Sequence, residues 1–491
     1  MKSLIPILMV LALGRSVDRG SSAGTDAAQV IGSPGVRTLA MPGPGTAQQN
    51  AAALTRFFAT PGTATLEIPS GTYLLPCGTY FAASGSLSIA GAGADRSVLK
   101  LERACPLSSA LMSWISKSNV HLSGFKVDLN NSYSSSRQGI LQFHAYDGDA
   151  HDLRIDHVAI VNGNTNSLQI VAAAASGFTY SGVVIDSNTL EMTPGPSQDQ
   201  CIALTTVNGS GKIPSAQITN NVCRGSGIQV DGDAPVVANN DVSNFRFGTG
   251  IFLAFVSSGK IAAARWSHGL ATLEYADRGL SFARGQTIHV WGASPRGYNG
   301  TFTVAGASPG RVSVTLPTNP GAYLGGAFIA AEPSSRNCVV TNNHLHDTEQ
   351  ALDINRTAPG GIENNCVNSR IENNQAVNLG GAAFTNFANG TVYRNNYAAA
   401  VGYSKAGSAD GDGDAAAFSI MDNGSGMPWY QSHDLVFEGN VVEPRGSRPR
   451  YGYFEEPWHL FGATIGKNSF AGAEAPMIRR TAACPAAPVR C

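Results

Sequence analysis

Short apolar strands, each followed by a pair of asparagines, recur through the second half of this chain. The clearest copies end at the second asparagine of each pair: Asn221, Asn240, Asn343, Asn374 and Asn396. Neighbouring copies lie 19, 22 or 31 residues apart, except for one gap of 103 residues. A repeat at this spacing is typical of a solenoid in which each unit stacks on the previous one.

A second apolar strand follows each asparagine pair after a polar turn, as in Gly227-Ile228-Gln229-Val230. Short strands with turns between them, and no helical period, predict a right-handed parallel β-helix. Asparagine suits the bend between two strands because it tolerates the left-handed backbone region. Its amide can also hydrogen-bond to the asparagine of the next coil. We therefore expect these asparagines to be structural.

Two segments depart from the repeat. Residues 46–58 place Leu54, Phe57 and Phe58 at helical spacing and predict a helix that caps the open end of the solenoid. Between residues 257 and 335 the asparagine pairs vanish while alternating strands continue, which predicts a small inserted β domain. The predicted divisions are a signal peptide and lead-in (1–24), a first β-helix part (25–256), the inserted domain (257–335), and a second β-helix part with a C-terminal cap (336–491).

The strand after the predicted helix reads Ile68-Pro69-Ser70-Gly71-Thr72-Tyr73. A polar segment, a short helix and an Ile-Pro-x-Gly-x-Tyr strand resemble the start of the pectate-lyase-like superfamily of β-helix proteins. That superfamily includes polygalacturonases, polysaccharide lyases, epimerases and phage tailspikes, so the resemblance implies a polysaccharide ligand. Its catalytic signatures, such as Asn-Thr-Asp, Gly-His-Gly and Asp-Pro-His, do not occur here in order. No catalytic residue can therefore be carried over from it.

The charge of the chain indicates which partners to expect, and its N-terminus indicates the cellular compartment. Only 14% of the residues are charged and the net charge is -1, which gives no electrostatic reason to expect nucleic acid or an anionic membrane. The apolar run after Lys2, from Leu4 to Leu13, resembles a secretory signal, and no later stretch approaches a membrane span in length. We expect an exported protein, extracellular or periplasmic.

The eight cysteines fall into sequential neighbours, which predicts disulfides between them, although spacing alone does not fix the connectivity. Disulfides agree with export. The expected pairs are Cys77 with Cys105, Cys201 with Cys223, Cys338 with Cys366, and Cys484 with Cys491.

Strand alternation selects candidate catalytic carboxylates. If Ile228 and Val230 face the core, Asp231 faces outward, and the same argument applied to residues 351–354 turns Asp353 outward. Two coils separate these aspartates, on the order of 10 Å, which approaches the carboxyl separation of an inverting glycosidase. Asp233, just beyond the first strand, is the third candidate. An outward aspartate can also simply be solvated.

Candidate substrate-binding residues lie on the same predicted face or in an aromatic segment near the C-terminus. The Arg356 guanidinium suits a bidentate grip on a substrate carboxylate, and aromatic rings can hold sugar faces or cover the last coil. The candidates are Arg356, Asn355, Gln229, His144, Gln142, Trp429 and Tyr430.

Calcium is the one cofactor that the sequence suggests. Asp410, Asp412 and Asp414 alternate with glycines, and carboxylates on one side of a loop are the ligands that Ca²⁺ favours. A solvated turn is the competing interpretation.

These observations predict a secreted carbohydrate-active enzyme that cleaves a polysaccharide on the outer face of a β-helix, by hydrolysis with paired carboxylates. Two alternatives remain open. One is a uronate lyase with Arg356 or Lys405 as base and calcium on the Asp410 loop. The other is a non-catalytic, tailspike-like protein that binds polysaccharide. The sequence leaves oligomerisation open.

Overall fold

The computed structural model describes residues 37–134, 139–164, 168–193, 200–206, 211–246, 248–254, 258–276, 280–348, 358–402, 413–421, 427, 429–456 and 462–478. Three long parallel sheets, here called sheets A, B and C, take one strand in turn from most coils of the chain. This arrangement confirms the predicted parallel β-helix. The segment predicted to be a signal peptide, Cys484 and Cys491 lie outside the described residues.

The strands of each sheet follow one another in chain order. Sheet A contains Arg37–Ala40, Thr63–Ile68, Ser86–Gly91, Val120–Ser123, Ala150–Asp156, Tyr180–Asp186, Gln217–Thr219, Val236–Ala238, Val339–Thr341, Arg370–Glu372, Val392–Arg394, Leu435–Glu438 and Ala463–Ile465. Sheet B contains Gly71–Leu75, Ser97–Leu101, Lys126–Asp128, Ala159–Gly163, Thr189–Met192, Val222–Arg224, Asp241–Ser243, His344–His346, Gln375–Leu379, Tyr397–Val401 and Val441–Glu443. Sheet C contains Phe81–Ala82, Met112–Ile115, Gly139–Ala145, Leu168–Ala174, Gln200–Thr206, Gly227–Val230, Thr249–Leu253, Gly360–Asn364, Phe384–Asn386, Ala416–Ile420, Tyr451–Glu455 and Ala475–Ile478. Pro106–Leu107 and Tyr133–Ser134 form a separate pair.

The predicted capping helix, α1, spans Ala47–Phe58. Thr46 begins it with a capping box: its hydroxyl accepts from the Gln49 amide, and the Gln49 side chain accepts from the Thr46 amide. Phe58 is buried against the rings of Phe81 and Trp114, so the helix covers the first coils of the core. No helix among the described residues is long and apolar enough to cross a membrane.

An asparagine ladder runs along the corner between sheets A and B. The first asparagine of each pair has a positive φ, 57° at Asn220 for example, and the second points into the corner and is buried. Each inner side chain donates to the next inner side chain and to a backbone carbonyl of the previous coil. Asn240, for instance, donates to Asn343 Oδ1 and to the Ile218 carbonyl, both at 2.9 Å. The ladder joins Asn188, Asn221, Asn240, Asn343, Asn374, Asn396, Asn440 and Asn468.

Aromatic and aliphatic side chains fill the interior in stacks along the solenoid axis. The rings of Phe384 and Phe418 are 4.8 Å apart and nearly parallel, as are those of Tyr393 and Phe437. Because this distance equals the spacing of neighbouring strands, like residues on successive coils stack without strain.

The three expected disulfides whose cysteines are described all form, and the Cα atoms of each pair lie about 6 Å apart, a spacing typical of disulfides. The pairs are Cys77 with Cys105, Cys201 with Cys223, and Cys338 with Cys366. Cys201 lies in sheet C and Cys223 in a sheet B strand of the next coil, so this bond joins adjacent coils.

The inserted domain is a closed antiparallel barrel between the sheet C strand Thr249–Leu253 and the sheet A strand Val339–Thr341. A 3₁₀ turn at Arg296–Tyr298 precedes its fourth strand. The barrel does not interrupt the asparagine ladder, because Asn240 and Asn343 remain direct neighbours across it. Its strands are Ser258–Ser267, Leu270–Tyr275, Thr287–Trp291, Gly300–Ser308, Arg311–Thr315 and Phe328–Ala331.

Replacing Asn240 by alanine should destabilise the solenoid. The change leaves the Asn221 amides without their acceptor and the Ile218 carbonyl without its donor, all in the buried corner. We expect a loss of about 1–3 kcal/mol in the free energy of unfolding, measured by urea denaturation. The matched control is Asn239→Gly, because Asn239 is exposed with a positive φ that glycine adopts freely. Equal stability of Asn240→Ala and the control would contradict a stabilising ladder.

Candidate functional site

The outer face of sheet C carries a row of side chains in register, one from each of ten successive strands from Met112–Ile115 to Tyr451–Glu455. The neighbours of these residues along each strand, such as Leu141 and Ile228, are fully buried in the core. Because successive side chains of a strand point to opposite faces, the row points away from the core. The row runs Ser113, Gln142, Val171, Ala203, Gln229, Phe252, Glu363, Thr385, Ser419 and Phe454.

Most of this row is covered, and its middle is open. Val171 and Ala203 are 1% exposed on one side, and Ser419 is fully buried on the other. Phe252, Glu363 and Thr385, on three successive strands between them, are half-buried. We call these three residues the open window of sheet C. It is where a ligand can reach this row of side chains.

Glu363 is the carboxylate of the open window. Its Oε2 accepts from the Thr249 hydroxyl at 3.2 Å and its Oε1 from the Asn365 amide at 3.4 Å, which orients the group beside Phe252. The outward position of this coil was predicted to be Asp353, on a strand at residues 351–354. The structure instead places Gly360–Asn364 in the sheet. Asp353, Asn355 and Arg356 lie outside the described residues, and their roles stay predictions.

A regular spacing in the sequence could have identified Glu363. In three coils the first asparagine of the next pair comes nine positions after the end of the sheet C strand: Val230 to Asn239, Asn364 to Asn373, and Asn386 to Asn395. A strand ending at residue 354 breaks this spacing.

Asp231 points away from the core as predicted, but it is not available to solvent. It is 7% exposed and accepts hydrogen bonds from the Thr206 amide at 3.1 Å, the Ser335 hydroxyl at 2.9 Å, and the hydroxyls of Thr206 and Ser334. Burial raises the pKa of Asp231, although the hydrogen bonds oppose the shift. The expectation of an open carboxylate there was wrong, because the chain returning from the barrel covers it.

Asp233 is exposed and accepts from the Asn337 amide at 3.0 Å. It lies where sheet C turns toward sheet A, bridged to Pro214 and Arg336. Both aspartates thus bind the segment that follows the barrel.

His144, Gln142 and Gln229 were predicted to line the open face, and the structure buries all three, at 4%, 6% and 8% exposed. His144 Nε2 has no hydrogen-bond partner, and burial lowers the pKa of this imidazole to about 4. A neutral, covered histidine at this position is poorly placed to contact a polymer.

Trp429 and Tyr430 do not form an exposed sugar platform. Both belong to the apolar cluster of the barrel core, at 8% and 0% exposed. The Trp429 ring makes edge contacts with His289, at 4.6 Å between ring centroids, and with Trp291. These residues attach the barrel to the β-helix, so of the two interpretations left open, the one in which these rings hold a sugar is wrong.

Of the predicted calcium loop, Asp414 is described, and Asp410 and Asp412 lie outside the described residues. Asp414 is 9% exposed and accepts from the Ala358 amide at 3.4 Å, close to the start of the strand that carries Glu363. Calcium binding at this loop stays a prediction.

Several solved structures are similar to this chain. The A-module of the mannuronan C-5 epimerase AlgE4 from Azotobacter vinelandii is 14% identical, with 89% of this chain and 96% of that chain covered at a TM-score of 0.44. A PL6 alginate lyase in complex with a trisaccharide is 10% identical, with coverage of 90% and 87% and a TM-score of 0.44. PfbA, a surface adhesin of Streptococcus pneumoniae, is 10% identical, with coverage of 87% and 85% and a TM-score of 0.41. At these scores the likeness carries no argument about activity.

No family model matches the chain, and no curated protein matches it.

Mild acid should destabilise the protein through His144. The pKa of His144 is about 4 in the folded state and 6.5 ordinarily. Between these pH values the imidazole binds a proton in the unfolded chain and is neutral in the folded chain. Stability is therefore full above pH of about 6.5 and falls by up to about 3 kcal/mol as the pH drops toward 4. Urea denaturation across this range measures the loss.

The variant His144→Leu should flatten this pH dependence, and His268→Asn should keep it, because His268 is an exposed barrel residue. An unchanged slope in His144→Leu would show that other groups cause the acid loss.

Proposed function

We propose that this protein is an exported polysaccharide-cleaving enzyme whose substrate lies across the open window of sheet C. The observation that carries the proposal is the position of Glu363. It is a half-buried carboxylate, oriented by hydrogen bonds from Thr249 and Asn365, in a row whose residues on the more distant strands are buried. A polar, oriented group at the one uncovered part of the described row is where chemistry on a bound polymer is feasible.

The neighbours of Glu363 have the chemistry of a sugar-binding cleft. Phe252 lies on the preceding strand and Thr385 on the following one, each about 4.8 Å away along the sheet. An aromatic ring packs against the apolar face of a pyranose, and a hydroxyl hydrogen-bonds to its rim. The parallel strands place these groups in a line, which suits an extended chain of sugars.

Hydrolysis is the reaction that we propose, with Glu363 in place of Asp231 in the carboxylate pair and with Glu363 as the general acid. It protonates the glycosidic oxygen as the bond to the anomeric carbon breaks, and a second carboxylate removes a proton from the attacking water. Asp353 remains the predicted second carboxylate and Arg356 the predicted ligand of a substrate carboxylate, since both precede the Glu363 strand closely in sequence.

The three disulfides support the exported location, because such bonds persist in oxidising compartments.

The test is incubation of the purified protein with a panel of neutral and uronic-acid polysaccharides. Reducing ends and the ultraviolet absorbance of unsaturated products are read together. We expect reducing ends without absorbance, and a fall of about 10²- to 10⁴-fold in rate for Glu363→Gln, because the amide cannot transfer the proton. Phe252→Ala should weaken binding of the same polymer in affinity electrophoresis.

Glu438→Gln is the matched control, since Glu438 is an exposed glutamate on sheet A paired with Arg394. Full activity of Glu363→Gln would exclude Glu363 as the acid. Products that absorb ultraviolet light would show that the reaction is elimination and not hydrolysis. Retention of a polysaccharide without cleavage would indicate a binding protein.

A further inference from the structure

Two histidines and an aspartate meet on the outer face of sheet B. Asp241 pairs in register with His344 on the next strand, and His346 follows two residues later on the same face. Leu345, between the histidines, is fully buried in the core, so strand alternation turns both imidazoles outward. This is the one group of three potential metal ligands found among the described residues.

The distances between these side chains are long for direct hydrogen bonds, 3.4 Å from His346 Nε2 to each oxygen of Asp241, and they match the distances between ligands of one metal ion. His344 Nδ1 lies 3.5 Å from Asp241 Oδ2, and His346 Nε2 lies 3.4 Å from Asp241 Oδ1. A tetrahedral zinc ion with bonds of about 2.0–2.1 Å separates its ligand atoms by about 3.4 Å. One ligand atom from each of the three residues falls within 4.8 Å of the others.

A second layer of hydrogen bonds already orients His346. Its Nδ1 pairs with Asp347 Oδ2 at 2.7 Å, and the Asn378 amide donates to Asp347 Oδ1 at 2.8 Å. A carboxylate on one imidazole nitrogen fixes the tautomer and leaves the other nitrogen as a ligand, the arrangement usual around metal-bound histidines. In His346 the other nitrogen is Nε2, the atom that faces Asp241.

We propose that Asp241, His344 and His346 bind one divalent transition-metal ion, with zinc the best match. Two imidazole nitrogens and one carboxylate oxygen are borderline ligands that zinc accepts, and water completes the fourth position. The three side chains are 40%, 44% and 23% exposed, so an ion reaches them from solvent.

Binding requires one small rearrangement. The two imidazole rings are stacked, 4.2 Å apart with an angle of 22° between their planes, and a metal ion must lie near the plane of each ring that it binds. His346 is held by Asp347, and His344 is the more exposed ring. His344 is therefore the ring that turns to meet the ion.

The site joins the two coils that the barrel separates along the chain. Asp241 precedes the barrel and both histidines follow it, so the ion would cross-link strands that are adjacent in sheet B and about a hundred residues apart in sequence. An ion that binds the folded chain more tightly than the unfolded chain stabilises it. Metal binding at this site does not depend on the proposed polysaccharide activity.

Isothermal titration of chelator-treated full-length protein with zinc chloride tests the proposal. We expect one zinc per chain, at least about 10-fold weaker binding in His344→Ala or His346→Ala, and about 10- to 100-fold weaker binding in Asp347→Asn. Cobalt is the second probe, because tetrahedral Co²⁺ absorbs visible light strongly and the band should vanish in the two alanine variants. Circular dichroism checks that each variant is folded.

His151→Gln is the matched control. His151 also pairs with the aspartate that follows it, at 2.8 Å to Asp152, but it is not part of any three-ligand group in the described chain. It should bind zinc as the unmodified protein does. The proposal is overturned if the unmodified protein binds no zinc, or if folded His344→Ala and His346→Ala keep its affinity.

Discussion

The fold depends on satisfying the polar groups at each corner of the solenoid. A chain that turns between two sheets leaves backbone donors and acceptors inside, and an unpaired buried group is costly. The inner asparagines meet this need at the corner of sheets A and B, because each amide pairs with the next coil and with a carbonyl of the previous one. From Asn188 to Asn468, the stacking of strands, the ring stacks of the core and the alignment of outward side chains follow the register that this corner fixes.

A fixed register aligns the outward side chains of each sheet in rows. The residues that cover a row determine whether a ligand can reach it. On sheet C the row in front of the core is buried at Val171 and Ala203 and again at Ser419, and it is open at Glu363. On sheet B the same alternation brings His344 and His346 beside Asp241. The two candidate sites thus arise from one geometry, since parallel strands place residues that are distant in sequence about 4.8 Å apart.

The sequence predicted the architecture well because its signals are local. An asparagine pair after a short strand and Thr46 before an apolar helix can each be recognised within a few residues. Solvent access is not local. Asp231 was expected to be open, and it is covered by Ser334 and Ser335, which follow the inserted domain. Trp429 was a candidate either for sugar binding or for covering the last coil, and it packs against His289 of the barrel. Alternation gives the direction of a side chain relative to its own strand, and the residues that cover it come from other parts of the chain.

The continuity of the asparagine ladder across the inserted barrel has a kinetic consequence. Most neighbouring coils can form their contacts soon after they are synthesised, because the contacting residues are close in sequence. The contact between Asn240 and Asn343 must instead wait for the whole intervening segment, and closing a longer loop costs more chain entropy. If the barrel folds on its own first, it shortens this loop by bringing its two ends together. The inserted barrel would then assist the pairing of the two coils that it separates along the chain.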